Sequence, residues 1–242
     1  MIKIIAIHGF LGNHEMWKEI LPYHLPFSIF TPQLAGHGNN HSLATPSIEY
    51  FAEHILQQIE PEDADEYIWM GHSMGGYVAA HLAKTFPDKT KALAFFHSTA
   101  DADNDLKKQD RLRAIEAAEK HKELYATNLI DGLFHSADEH RLAINEQLQK
   151  IESMSAKSIV QSLYAMRERQ SVITFLKTAK FPIHYFSGAN DKVLSIEKMK
   201  AEWSVLTQAK VTIIPGIGHM GHIENISAAK SFLEEVISPF AL

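Results

Sequence analysis

One serine of this chain stands between glycines at the end of an apolar segment. Ser73 is the centre of GHSMG at 71–75, which fits the pattern G-x-S-x-G, and the residues before it, YIWM at 67–70, are apolar or aromatic. When a strand precedes this pattern and a helix follows it, the serine sits on a sharp turn that exposes its hydroxyl for nucleophilic attack. The alternative is an ordinary strand-to-helix turn without chemistry.

A serine hydroxyl is a poor nucleophile until a base removes its proton, and that base needs a carboxylate to orient it. Two later segments supply these groups directly after apolar runs. SGAND at 187–191 ends at Asp191, and PGIGH at 215–219 ends at His219. Because the chain order serine, aspartate, histidine is typical of triads on an open α/β sheet, we predict that Ser73, Asp191 and His219 meet.

The acid and the base each have competitors in the sequence. Asp191 could instead cap the helix that follows it. Asp101 and Asp103 follow another apolar run and are alternative acids. His222 offers a second imidazole in the segment HMGH. We predict that His219 is the base and that His222 packs or hydrogen-bonds beside it.

Acyl transfer also needs hydrogen-bond donors for the negative oxygen of the tetrahedral intermediate. The first apolar run, 2–7, leads into HGFLG at 8–12, where Gly9 lets the backbone approach a substrate closely. The helix after the serine directs its free N–H groups to the same place. We predict that the backbone N–H groups of Phe10 and Met74 form the oxyanion hole.

Other histidines lie close to these motifs in sequence. We expect His8 to stabilise its turn and to line the site entrance, and His72 to support the serine turn. His219, His222 and Glu224 together suggest a metal-ligand set, but H-x-x-H-x-E is not a spacing with an established zinc geometry. The sequence therefore predicts no metal.

The composition restricts the class of protein. The 242 residues are 45% hydrophobic, which is enough for one sizeable core. A net charge of -6 with mixed signs argues against nucleic acid or an anionic membrane as a partner, and the absence of cysteine excludes disulfides and Cys-ligated zinc. No apolar run approaches the roughly 20 residues of a membrane span, and the first run is interrupted at Gly9. We expect a cytoplasmic protein, monomeric or homodimeric.

The apolar runs are short and nearly continuous, as in strands buried on both faces of a parallel sheet. Predicted strands cover 2–7, 28–31, 67–70, 92–96, 183–186 and 211–214. Predicted helices cover 48–59, 74–85, 196–206 and 226–237. Because strands alternate with helices, the sequence indicates an α/β fold with a doubly wound, mostly parallel sheet.

The middle of the chain differs, because 103–179 carries amphipathic helical patterns and no convincing strand. We predict a core formed by 1–102 and 180–242, with 103–179 as a helical cap inserted after the strand that follows the serine's helix. Four arginines of the insertion are expected on its solvated face, and the alternative is that one of them binds a substrate carboxylate. They are Arg111, Arg113, Arg167 and Arg169.

These motifs together resemble a known superfamily. HGFLG, LAGHG, GHSMGG, GAND and GIGHMGHIEN are similar to the corresponding segments of α/β-hydrolases, specifically the small cap-bearing esterases, lactonases and C–C hydrolases. The resemblance implies a mostly parallel sheet with one antiparallel strand near the start, and no metal or organic cofactor. One departure is Gln33, where many members have an acidic residue, and we interpret this position as structural.

The sequence therefore predicts a serine hydrolase that cleaves a small carboxylic ester or lactone through an acyl-enzyme. The same triad supports C–C bond hydrolysis, lyase chemistry and cofactor-free perhydrolysis as alternatives. A non-enzymatic small-molecule receptor that keeps the hydrolase pocket is the alternative from another class. The acyl preference depends on the cap, whose packing the sequence does not specify.

Overall fold

The described strands form a parallel sheet. The computed structural model describes residues 1–38 and 46–241. The strands are β1 (Ile2–Ile7), β2 (Ser28–Phe30), β3 (Glu66–His72), β4 (Thr90–Phe96), β5 (Ile183–Gly188) and β6 (Lys210–Ile214). Their order is β2-β1-β3-β4-β5-β6, and every neighbouring pair runs parallel. The predicted α/β fold with a doubly wound, mostly parallel sheet is confirmed.

The antiparallel strand implied near the start of the chain does not occur among the described residues. The segment between β1 and β2 contains a short 3-10 helix, His14–Trp17, in place of a strand. Asn13 caps this helix by accepting a hydrogen bond from the Glu15 N–H at 3.0 Å. Trp17 is fully buried, with its ring edge-on to Phe96 of the sheet. An indole ring therefore ties this segment to the core, without strand pairing.

Helices cover both faces of the sheet. They are α1 (Ile48–Ile59), α2 (Met74–Thr85), α3 (Asp105–Lys120), α4 (Lys122–Leu133), α5 (Arg141–Glu152), α6 (Ala156–Glu168), α7 (Ile173–Leu176), α8 (Ile196–Val205), α9 (Gly221–Glu224) and α10 (Ile226–Ile237). Successive strand residues point to opposite faces. Ile5 and Ile7 pack in the core that includes α1 and α2, whereas Ile4 and Ala6 pack in the core that includes α10. Burial on both faces explains the continuous apolar runs.

The first helix shows how local sequence determines an element. Ser47 caps α1 by accepting a hydrogen bond from the Tyr50 N–H at 3.0 Å. Phe51, Ile55 and Ile59 recur on one face of the helix and are buried. The helix therefore has the predicted bounds, 48–59. None of the helices in the described ranges combines the length and apolar character that crossing a membrane requires.

The helices α3 to α6 lie between β4 and β5 in the chain. Asn104 and Ser155 cap α3 and α6 by accepting hydrogen bonds from the N–H groups of Lys107 and Ser158. α3 packs against α6, and buried residues of all four helices join the core that includes α1 and α2. The division into core and cap stays a prediction, and residues 39–45 and 242 of the predicted core lie outside the described residues.

Candidate active site

Ser73 sits on a strained turn between β3 and α2. Its backbone has φ 50° and ψ -119°, a conformation that residues other than glycine rarely adopt. Two hydrogen bonds hold this turn: the Ser73 N–H donates to the Phe96 carbonyl at 3.0 Å, and the Ser98 hydroxyl donates to the Ser73 carbonyl at 2.7 Å. The turn that G-x-S-x-G predicts is therefore present. Hydrogen bonds to the end of β4 and to the residue that follows it by two positions, Ser98, stabilise its strained backbone.

The glycines beside Ser73 are required by close backbone approach. A Cβ at Gly71 would collide with the Gly75 carbonyl, and a Cβ at Gly75 would collide with the Ile7 carbonyl oxygen. Helix α2 therefore starts directly against the end of β1. This packing brings the first turn of α2 next to the loop that follows β1.

Asp191 and His219 meet at the carboxyl ends of β5 and β6. His219 Nδ1 lies 2.7 Å from Asp191 Oδ2, and both residues are buried. Asp191 Oδ1 accepts hydrogen bonds from the Val193 and Leu194 N–H groups at 2.8 Å and 3.0 Å. Burial alone would raise the pKa of the Asp191 carboxyl, but the neighbouring imidazoles, His219 first, hold that pKa below its ordinary range. Asp191 is thus an ionised partner for the His219 ring.

The competing acids are placed elsewhere. Asp103 is paired with Arg111 and Arg169, at 3.0 Å and 2.7 Å. Asp101 is exposed, and its carboxylate accepts a hydrogen bond from the N–H of the next residue. Within the described residues neither carboxylate bonds to His219, so the geometry favours Asp191 as the partner of that imidazole.

Ser73 and His219 line one cavity, of about 70 Å³. Side chains of the helical insertion line it as well, among them Leu129 and Leu133 of α4. The backbone of α4 also contacts the triad region, because the His219 N–H donates to the Leu133 carbonyl at 2.7 Å. The predicted nucleophile and base therefore face a shared space that the insertion partly encloses.

The predicted oxyanion donors lie on the two segments that α2 and β1 bring together. Phe10 lines the cavity and belongs to a turn closed by a hydrogen bond from the Gly12 N–H to the Gly9 carbonyl at 3.1 Å. The Phe10 N–H has no hydrogen-bond partner in the described part of the chain. Met74 is the first residue of α2, where a helix leaves N–H groups without internal acceptors. Both amides are available to an anion.

His8 stabilises the loop that carries Phe10 through hydrogen bonds of both ring nitrogens. Its Nδ1 donates to the Gly9 carbonyl at 2.8 Å, and its Nε2 accepts from the Leu34 N–H at 3.0 Å. Burial lowers the pKa of His8 well below its ordinary value, so the ring is neutral, as these two bonds require. His8 is fully buried and is not among the residues that line the cavity. These contacts support the turn-stabilising role expected of His8, and its expected place at the site entrance stays a prediction.

Gln33 completes this support. Its side-chain amide lies 2.9 Å from His8 Nε2, and its Oε1 accepts a hydrogen bond from the His14 N–H at 3.2 Å. The interpretation of this position as structural agrees with these contacts.

His72 and His222 lie beside His219. His72 Nε2 donates to the His219 carbonyl at 3.0 Å, and a Cβ at Gly9 would lie only 2.6 Å from His72 Nδ1. The ring of His222 lies 5.3 Å from that of His72, and burial lowers the pKa of His222 to about 3. Both neutral rings line the cavity, and the His72 ring lies 5.2 Å from that of His219.

His97 is a member of this cluster that the sequence analysis missed. Its Nδ1 lies 3.2 Å from Asp191 Oδ2, so two imidazoles share one carboxylate oxygen. Its backbone has φ 48°, and its N–H donates to the Phe186 carbonyl at 2.8 Å. The available signal was the segment HST directly after β4, because β4 ends at the same edge of the sheet as β3 and β5.

The suggested metal-ligand set is not assembled. Glu224 accepts hydrogen bonds from the N–H groups of His135, Gly218 and Met220, which makes it a support for the loop that carries His219. In the described ranges, the three side chains whose potential ligand atoms lie within 4.8 Å of one another are His97, Asp191 and His219. Hydrogen bonds from both imidazoles to Asp191 account for that proximity.

The fold and this geometry together define a class of protein. A serine on a positive-φ turn, a buried aspartate–histidine pair and free backbone amides lie at the carboxyl edge of an open α/β sheet, as in hydrolases that use a nucleophilic serine. The chain belongs to the alpha/beta hydrolase fold family, whose sequence model matches residues 3–226.

Individual proteins of known name or structure are similar to this chain to different degrees. A pimeloyl-[acyl-carrier protein] methyl ester esterase of Citrobacter koseri is 33% identical over 93 residues, which are 37% of this chain and only 34% of that esterase. A thermophilic esterase from Thermogutta terrifontis, in a malate-bound structure, has a TM-score of 0.87 at 22% identity, covering 100% of this chain and 91% of that chain. The enol-lactonase from Burkholderia xenovorans has a TM-score of 0.83 at 13% identity, covering 98% and 91%. At such identities the structural likeness establishes the fold.

Proposed function

We propose that this protein is a serine hydrolase that cleaves a small carboxylic ester or lactone through an acyl-enzyme. The observation that supports it most directly is the 2.7 Å hydrogen bond from His219 Nδ1 to Asp191 Oδ2, beside the cavity that Ser73 and His219 both line. In this proposal the ring proton is on Nδ1, from which it is donated to the ionised Asp191 carboxylate. The other nitrogen, Nε2, is then free to accept the proton of the serine hydroxyl.

The first half of the reaction forms the acyl-enzyme. Ser73 Oγ attacks the carbonyl carbon while His219 Nε2 removes the hydroxyl proton. The N–H groups of Phe10 and Met74 stabilise the oxyanion, each by about 3 kcal/mol in comparable sites. His219 then gives its proton to the leaving oxygen, the acyl C–O bond breaks, and the alcohol departs. In a lactone the alcohol stays attached to the acyl group.

The second half releases the acid. His219 removes a proton from water, and the resulting hydroxide attacks the acyl-enzyme carbonyl. The same two amides stabilise the second oxyanion. Collapse of this intermediate returns the proton from His219 to Ser73 Oγ and frees the carboxylic acid. No metal or organic cofactor has a step in this sequence.

The helices of 103–179 act in this proposal as a cap. Tyr125, Leu129 and Leu133 line the cavity on the insertion side, and α4 is bonded to the backbone of His219. Such a cover excludes bulk water and limits the size of the acyl group. The family match and the esterase relative support hydrolysis of an ester, and the enol-lactonase neighbour is the reason for including lactones.

A panel of esters and lactones tests the function. Wild type should turn over p-nitrophenyl acetate and butyrate many times, and Ser73→Ala should lower kcat by roughly 10⁴- to 10⁶-fold. Ser153→Ala, at an exposed serine of the insertion, is the matched control and should keep wild-type activity. A fluorophosphonate should label wild type and Ser153→Ala on Ser73, and should not label Ser73→Ala. Labelling that persists in Ser73→Ala would place the nucleophile elsewhere, and tight ligand binding without turnover would favour the receptor alternative.

A further inference from the structure

The cavity beside Ser73 contains a charge that the proposed ester chemistry does not use. Arg111 of α3 lines it, with a side chain that is 15% exposed. Among the described residues of the lining, Arg111 alone carries a permanent charge, and most of its neighbours there are apolar or aromatic. Since a guanidinium does not lose its proton in a protein, this wall of the cavity is always positive.

The charges around Arg111 do not balance. Its Nε donates to Asp103 Oδ2 at 3.0 Å, while the other oxygen of that carboxylate lies 2.7 Å from Nη1 of Arg169. One buried carboxylate therefore serves two guanidinium groups. An excess of positive charge away from water is unfavourable until an anion joins it.

The two arginines use their donors differently. Arg169 Nε donates to the Asp101 carbonyl at 3.0 Å, its Nη1 donates to the Met166 carbonyl at 2.8 Å, and its guanidinium lies 4.0 Å from the ring centroid of Tyr77. Arg169 is thus occupied by the fold. For Arg111, nothing in the described part of the chain accepts a hydrogen bond from Nη1 or Nη2.

Neutral donors surround the same space. Tyr77, Tyr125 and Gln147 line the cavity together with Arg111. Burial raises the pKa of Tyr125 to about 12, so its phenol keeps its proton at neutral pH and can donate a hydrogen bond. A guanidinium with two free nitrogens, beside hydroxyl and amide donors, is the chemistry that recognises a planar carboxylate.

We propose that Arg111 binds a carboxylate carried by the acyl group of the substrate, so that the preferred substrates are monoesters of dicarboxylic acids. The choice of an ester bond as the cleaved bond rests on the proposed hydrolase function. In this arrangement the ester carbonyl lies at Ser73 and the free carboxylate lies at Arg111. The reaction consumes one water, breaks the acyl C–O bond, and releases the alcohol and the dicarboxylate. Arg111 then determines specificity, and the triad performs the chemistry.

A matched pair of esters tests this specificity. The first is the mono-p-nitrophenyl ester of adipic acid, and the second is the p-nitrophenyl ester of adipamic acid, in which a neutral amide replaces the carboxylate. Wild type should favour the first by roughly tenfold to hundredfold in kcat/KM, the range expected for charge-assisted hydrogen bonds. Arg111→Gln should bring that ratio close to one. A wild-type ratio near one, or a ratio that survives in Arg111→Gln, would overturn the proposal.

Two further variants separate recognition from folding. Arg113→Gln removes a positive charge from the same helix at an exposed position paired with Asp110, and should keep the wild-type ratio. Arg111→Lys keeps the charge but lacks the planar fork, and should retain part of the preference. If Arg111→Gln does not fold, the reduced ratio in Arg111→Lys decides the question.

An equilibrium measurement distinguishes failure of this site from failure of the hydrolase function. Calorimetric titration of Ser73→Ala with adipate should show binding, and the double variant with Arg111→Gln should bind at least tenfold more weakly. Adipate binding that needs Arg111, with no turnover of either ester by wild type, would refute the hydrolase function alone. Equal turnover of both esters, with no adipate binding, would refute the carboxylate site alone.

Discussion

The carboxyl edge of the sheet, which carries Ser73 and the Asp191–His219 pair, and the helical insertion contribute to one cavity in different ways. At the edge, positions are fixed by backbone: a positive-φ turn, close glycine contacts and hydrogen bonds to strand ends. The insertion contributes side chains, mostly apolar, with the charge of Arg111 among them. A backbone scaffold therefore constrains the groups at the sheet edge, whereas the walls of the cavity consist of side chains that can change without disturbing the sheet.

At the sheet edge, a large loss of activity is expected on replacing Asp191, the proposed acid of the triad. Asp191→Asn should lower kcat by about 10⁴-fold, because an amide can donate to Nδ1 and so favours the tautomer with the proton on Nε2, which cannot accept the serine proton. The measurement is kcat with p-nitrophenyl butyrate. Asp101→Asn is the matched control, since this exposed carboxylate is the rival acid, and its kcat should stay close to that of wild type. A larger loss in Asp101→Asn would transfer the role to that residue.

Replacing a glycine by alanine should change the free energy of unfolding in opposite directions in the two regions. Gly75→Ala puts a methyl group against the Ile7 carbonyl oxygen, and should lower the free energy of unfolding by about 3 kcal/mol or prevent folding. Gly132→Ala, in α4, meets no atom within 4 Å and should raise that free energy by about 0.5 kcal/mol.

Denaturant unfolding of both variants measures this contrast. Equal effects of the two substitutions would mean that the sheet edge is no more tightly constrained than the insertion.

Much of the fold was predictable because helices and strands depend on local sequence patterns. The bounds of β1, α1, α2 and α10 follow from apolar runs and helical periodicity, and they agree with the prediction. The turn at Ser73 was predictable for a similar reason. Its two flanking positions are glycines because a larger residue at either position would collide with the neighbouring backbone.

Contacts between distant side chains were not predictable in the same way. His97 bonds to Asp191 only because β4 and β5 are neighbours, and no local period of HST carries that information. The pairing of Asp103 with Arg111 and Arg169 likewise joins the end of β4 to two helices of the insertion. Arg111 was one of four arginines expected on the solvated face, and only the packing of α3 places it in the cavity.

The neutral histidine rings of the sheet edge should make the stability of the protein depend on pH. Burial lowers the pKa of His222 from 6.5 to about 3. Below about pH 6.5 the unfolded chain takes up a proton at this residue and the folded protein does not, so the free energy of unfolding falls as pH falls. His222→Gln should make this fall shallower by about 1.4 kcal/mol per pH unit between roughly pH 6 and pH 4.

Urea unfolding of wild type and His222→Gln across that pH range measures the slope. An unchanged dependence of the free energy of unfolding on pH would mean that His222 is hydrated in the folded protein. Water would then reach the sheet edge more readily than its burial indicates.

The number of donors around Asp191 has a consequence for the path of the proton. A carboxylate offers roughly four acceptor positions, and Asp191 receives two backbone N–H groups and two imidazole nitrogens. Its oxygens have no free acceptor position, so in the proposed reaction Asp191 serves as a fixed anion and does not take up the proton. In the proposed reaction, the proton that His219 takes from the serine enters at Nε2 and can leave only from Nε2. In every turnover it is therefore donated to a group on the substrate side of the ring.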